Sequence, residues 1–195
     1  MKYSLLLGAI IISMAAYSQA WTKQYDHVDE CTCGLSLVGK DDKHGFVDKD
    51  GKLVVPLIYE DALTYSEGFA AVKLNGKWGY LDSTGKVLVE PKYTEAMSFH
   101  NGFAVVSNGN DYGFIDTSGK IGIQMIYENA SQFSEGLAAV NKKGMWGYID
   151  TKGREVIACK YGFAGTFGDG SARVMQNSKW IIIDRTGKKI ADSER

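Results

Sequence analysis

The sequence predicts an all-β repeat array, and three observations carry that prediction. One phrase, Lys77-Trp-Gly-Tyr-Leu-Asp-Ser-Thr-Gly-Lys86, recurs in variant form every 34 residues: Gly45, Gly79, Gly113 and Gly147 mark one column, with Ile181 in its fifth place. A second column, Asp48, Asp82, Asp116, Asp150 and Asp184, is followed three residues later by Gly51, Gly85, Gly119, Gly153 and Gly187. Between these signals lie short apolar and aromatic runs, with almost no helical periodicity.

The first element in chain order is the leader. Residues 1–20 carry Lys2, an apolar run from Leu5 to Ala16 and then Ser18-Gln19-Ala20, which reads as a secretory signal peptide cut after Ala20. The apolar run is shorter than the roughly 20 residues that span a bilayer. The expected mature chain is therefore exported, to the periplasm, the cell surface or the medium, with no membrane span.

The formal net charge is −1, and removing Lys2 with the leader makes it −2. Such a balance gives no electrostatic footprint for nucleic acid. Three cysteines, Cys31, Cys33 and Cys159, are too few for a disulfide framework, and whether any two of them pair stays open at this point. The spacing Cys31-Thr32-Cys33 fits neither a zinc pair nor a thioredoxin motif.

The mature region, 21–195, divides into an N-terminal cap over 21–34 and units over about 35–68, 69–102, 103–136, 137–170 and 171–195. In each unit Asp-x-x-Gly reads as a type I turn closed by a left-handed glycine. Apolar residues on both sides make that turn a hairpin. An upstream strand, as in Phe69 to Leu74, joins through Asn75-Gly76, a strong two-residue hairpin signal. Each unit is thus expected to be a three-stranded antiparallel meander, and the units to stack as an elongated array. The alternative is a closed five-bladed toroid, less favoured because propeller blades usually have four strands and longer repeats.

Strand alternation puts Trp78 and Tyr80 on one face, and Gly79 and Leu81 on the other. The first face therefore collects Trp78, Tyr112, Trp146 and Trp180, with His44 opening the column. Such a column is either a spine buried between units or a row of rings for a partner. The glycine column implies close approach of another backbone or ring.

No G-x-S-x-G or H-E-x-x-H pattern occurs, and His27, His44 and His100 fall at different places in the repeat. Glu67 and Glu135 recur within the repeat, with Cys33, Asn101 and Asp169 as counterparts, which fits a turn position better than acid catalysis. The turn aspartates supply one dependable carboxylate per loop, whereas calcium needs six to eight oxygens. No catalytic residue, metal or cofactor is expected.

Lys77 to Lys86 and Met145 to Arg154, each followed by Tyr-x-x-Ala and a Glu-Gly-[Phe/Leu]-Ala-[Ala/Val]-Val-like run, resemble the WG-containing (KWG) repeat family of bacterial proteins. His44 and Tyr112 in place of Trp, Ile181 in place of Gly, and Ser171 with Arg173 depart from that pattern. The resemblance implies a β-rich, exported or surface-associated scaffold that binds and does not catalyse. The expected function is protein–protein interaction, with an unidentified protein as partner. The alternative is a carbohydrate-binding module that holds a cell-envelope glycan on Trp78, Tyr112, Trp146 and Trp180.

Overall fold

In a computed structural model, the described residues are 20–193, so the segment read as a signal peptide lies outside them but for Ala20. A short 3-10 turn, Ala20–Gln24, precedes five antiparallel sheets. The first holds β1 (His27–Val28), β2 (Leu35–Lys40), β3 (Lys43–Asp48) and β4 (Leu53–Tyr59). The second holds β5 (Asp61–Ala62), β6 (Phe69–Leu74), β7 (Lys77–Asp82) and β8 (Val87–Tyr93). In the third lie β9 (Glu95–Ala96), β10 (Phe103–Ser107), β11 (Tyr112–Asp116) and β12 (Ile121–Tyr127). The fourth is built of β13 (Asn129–Ala130), β14 (Leu137–Lys142), β15 (Met145–Asp150) and β16 (Glu155–Tyr161). The last comprises β17 (Phe163–Ala164), β18 (Ser171–Gln176), β19 (Lys179–Asp184) and β20 (Lys189–Asp192).

Every sheet is a meander whose spatial order equals its chain order. Each therefore carries one strand beyond the three that the sequence predicts. The addition is the two-residue strand at the Tyr-x-x-Ala segment, such as Asp61–Ala62, which pairs with Lys73 and Val72. Two residues are too few to show alternation, so this strand leaves no pattern in the sequence.

The hairpins form as their turn chemistry dictates. Asn75 and Gly76 sit at φ 52° and 72°, the left-handed pair that a type I′ turn requires. At the other hairpin, Asp82 Oδ1 accepts bonds from the backbone N–H of Thr84 (2.8 Å) and Lys86 (3.1 Å), while Gly85 N–H donates to Asp82 O (2.9 Å). Asp48, Asp116, Asp150 and Asp184 repeat this arrangement. These side-chain and backbone donors hold the carboxyls of Asp82, Asp116, Asp150 and Asp184 below the ordinary aspartate value.

The glycine column answers to a bulge within each sheet. A Cβ on Gly79 would lie 2.4 Å from Val89 O, on the neighbouring strand, where the register slips between Trp78 and Tyr80. Gly45, Gly113 and Gly147 meet the same obstacle in their own sheets. In the fifth unit Ile181 takes the place of glycine, and the register there runs unbroken from Ile181 to Ile182. The exception in the sequence thus marks an exception in the ladder.

No sheet closes on itself, and the core is a chain of four clusters, each between two consecutive sheets. Leu37, Phe46 and Val55 of the first sheet meet Ala62, Tyr65 and Val72 of the second. Tyr80 and Val89 meet Phe99 and Val106, Phe114 meets Phe133, and Tyr148 meets Phe167. Among the described residues no cluster joins the last sheet to the first, so the sheets form an open stack, consistent with the elongated array. Phe46, Tyr80, Phe114 and Tyr148 are fully buried and form the spine.

The two ends are finished differently. Against each turn glycine lies an aliphatic side chain of the preceding repeat: Val55 on Gly85, Val89 on Gly119, Ile123 on Gly153 and Ile157 on Gly187. At Gly51 that place is taken by the Trp21 ring, so the N-terminal turn stands in for a missing repeat. In the last sheet, the positions of Ala139, Tyr148 and Ile157 are held by Arg173, Ile182 and Ala191. Arg173 and Ala191 are exposed there, so a charged and a small side chain replace two of the residues that pack the inner interfaces.

Candidate functional site

The aromatic column splits into two classes. Rings two residues after it, from Phe46 to Tyr148, are the buried spine, whereas Trp78, Tyr112, Trp146 and Trp180 are half-buried near the edge formed by the short strands. Their faces are partly covered by the chain itself. Lys73 Nζ lies 5.9 Å from the Trp78 ring centre, and the Arg173 guanidinium 4.4 Å from that of Trp180. The Tyr112 hydroxyl donates to Glu95 Oε2 at 2.8 Å, and this bond, with burial second, raises its phenol above the ordinary tyrosine value.

Among the described residues, members of the column are brought together only at the C-terminal end. Phe163 stands between two of them, its ring centre 6.0 Å from Trp146 and 5.5 Å from Trp180. Nothing in the repeated phrase points to Phe163; the signal is that its counterparts are Asp61, Glu95 and Asn129, all polar. Its side chain is nevertheless 45% exposed.

Trp146 and Phe163 line an open groove of about 380 Å³. Its lining is completed by Asn129 to Gln132 of the fourth repeat segment, Ala164 to Thr166 of the fifth, and Met97. That volume falls in the range of small-ligand and peptide side-chain sites. The lining contains amides, hydroxyls and rings but no ionisable side chain. Smaller clefts adjoin Tyr112 (about 40 Å³) and His44 (about 180 Å³), so openings follow the column along the stack.

The other polar side chains singled out by the sequence serve the scaffold. Glu67 and Glu135 bond backbone N–H groups one repeat on, and the turn aspartates bond their own loops. Cys31 and Cys33 are exposed and Cys159 is half-buried, all as free thiols; burial, first of all, raises the Cys159 thiol. No cluster of metal-ligating side chains occurs among the described residues.

The fold is similar to that of several solved structures of propeller-like type. A eukaryotic initiation factor superposes with TM-score 0.58 at 11% identity, over 87% of this chain and 54% of that one. Hsv2 of Kluyveromyces lactis superposes with TM-score 0.54 at 9% identity, over 83% of this chain and 60% of that one. The extracellular domain of the putative hybrid two component system BT3049 from B. thetaiotaomicron is also matched, with TM-score 0.46 at 14% identity, over 87% of this chain and 28% of that one. This chain thus spans about 60% or less of the length of these proteins. No curated protein matches it. The WG containing repeat model matches residues 45–78, 78–110, 112–146 and 146–180, more than half of the sequence, and the chain belongs to that family.

Proposed function

We propose that the protein is an exported, non-catalytic scaffold for protein–protein interaction in the periplasm or at the cell surface. Export rests on the leader-like residues 1–20. One observation carries the interaction reading: the three inner sheets spend both faces on stacking, which leaves their short-strand edge, its clefts and the hairpin tips to meet a partner. The Ser107 to Asp111 hairpin, held by Ser107 Oγ and Asn108 Oδ1, is one such tip.

Glycan stacking fits the same geometry less well. A sugar needs a flat, free ring face, and Lys73, Arg173 and Phe163 already lie against Trp78, Trp180 and Trp146. In the scaffold reading the recurrent carboxylates are bonded to backbone and perform no acid or base chemistry.

The test is site-specific photocrosslinking in the native cells, with a benzoylphenylalanine at Glu95 on the short-strand edge and, as a control, at Lys92 on the far strand. A discrete protein adduct from Glu95 and none from Lys92 is the expected result. No adduct from either, together with glycan binding that Trp146→Ala removes from a folded chain, would establish the carbohydrate module instead.

A further inference from the structure

At the C-terminal groove the short strand also lacks a side-chain cap that two of the other short strands carry. On that edge Asp61 Oδ1 accepts the N–H of Ala62 at 2.9 Å, and Asn129 Oδ1 accepts that of Ala130 at 2.8 Å. Each side chain thereby covers the outward backbone donor of its short strand, which blunts the edge against pairing with another chain. Phe163 has no oxygen with which to do this for Ala164. Phe163 thus combines an exposed ring with the lack of such a cap, in a groove of about 380 Å³.

We propose that this groove is a docking site for an extended, uncharged peptide segment of a partner protein. The segment lays an aliphatic or proline side chain on the exposed surface of Phe163, alongside Trp146, and sets a backbone carbonyl on the Ala164 N–H. Aromatic anchors beside a main-chain donor that no preceding side chain caps are the elements of edge-strand recognition. The absence of ionisable groups from the lining selects against acidic or basic segments, because a charge brought there would lose water and find no partner. Asn129, Gln132 and Thr166 supply neutral bonding groups along the path of the peptide. The inference rests on the scaffold reading and assigns it a site and a ligand class.

A phage-displayed library of random linear peptides, selected on the full mature chain, tests it. The key variant is Phe163→Asn, which restores the residue of the preceding repeat and is therefore compatible with the fold; circular dichroism confirms that it folds. The expected result is a family of uncharged, apolar peptides whose affinity falls about tenfold or more in Phe163→Asn and is insensitive to salt. The Ala164 amide proton should exchange more slowly when such a peptide is bound. Peptides that bind both forms equally would overturn the groove and leave the scaffold reading to the crosslinking result. Selection of charged, salt-sensitive peptides, or of none at all, would also overturn it. Neutral oligosaccharides that bind the mature chain and are lost in Phe163→Asn would overturn both readings.

Discussion

Glu67 reaches across one repeat to Asn101: its Oε1 accepts the Asn101 N–H, and its Oε2 the Gly102 N–H, each at 2.8 Å. Asn101 Oδ1 accepts the Gly136 N–H, and the Glu135 carboxylate accepts the Gly170 N–H, one N–H in each case. All these acceptor residues share a left-handed backbone near φ 50°, so their turns present N–H groups to the preceding turn. The outcome is a ladder of side-chain bonds along one rim of the stack, with Cys33 as its one rung without a carboxylate or amide.

Glu67→Ala should therefore destabilise the fold by about 1 kcal/mol, since two charge-assisted bonds are lost at an exposed site. Cys33→Glu should act in the opposite sense by placing an acceptor opposite the turn at Glu67 and Gly68. Urea unfolding of both variants checks the pair; a stabilised Glu67→Ala would refute the ladder.

Stability should fall in acid. The carboxyls of Asp82, Asp116, Asp150 and Asp184 lie below 3.8 in the folded chain, so they favour folding above that value. The contribution is lost as pH falls through the depressed folded values, below about 4. Thermal melts between neutral pH and about pH 2 should show that loss. Replacement of the four aspartates by asparagine, which keeps an acceptor but has no proton to gain, should flatten it.

Gly79→Ala should cost about 3 kcal/mol or unfold the chain, because its Cβ would collide with the backbone at Val89 O. Gly76→Ala meets open space but must hold φ near 72°, and should cost only about 1 kcal/mol. Equal costs at the two glycines would contradict the bulge as the reason for the column.

With Trp21→Phe in place, the fluorescence of Trp78, Trp146 and Trp180 should be intermediate in wavelength and only partly quenched by acrylamide, as befits half-buried rings. Fully shielded emission would place them in the spine with Tyr80. Ready quenching by iodide would instead make them a free ladder and revive glycan stacking.

Tyr80 and Tyr148 donate their hydroxyls to Met97 O and Gly165 O, at 2.8 and 2.7 Å, where Phe46 and Phe114 have none to give. Tyr80→Phe should cost about 1 kcal/mol by urea unfolding. Burial raises the phenols of both far above the ordinary value, so neither should ionise before the fold is lost in alkali.

Much of this architecture is legible in the period alone. Turn type at Asn75-Gly76, the Asp82 loop and the close backbone approach at Gly79 follow from residue types whose stereochemistry permits few alternatives. The short strands escape notice because Asp61–Ala62 pairs only through its neighbour in the next unit. The ladder escapes because Cys33, Glu67, Asn101, Glu135 and Asp169 share a backbone shape and not a side-chain type. Which rings lie in the spine is decided by depth between sheets: Trp78 and Tyr80 share a face, yet only the second is covered by Phe99. Phe163 is readable in retrospect as the apolar member of a polar column.

The terminal face of Arg173, Ile182 and Ala191 bears on how such a chain changes length. Every other interface joins like to like, so a duplicated 34-residue segment placed before the last unit would meet its neighbours through contacts already in use. A segment appended beyond Asp192 would instead have to cover an exposed arginine. By this geometry an added unit is accommodated more readily between existing sheets than on the face of Arg173.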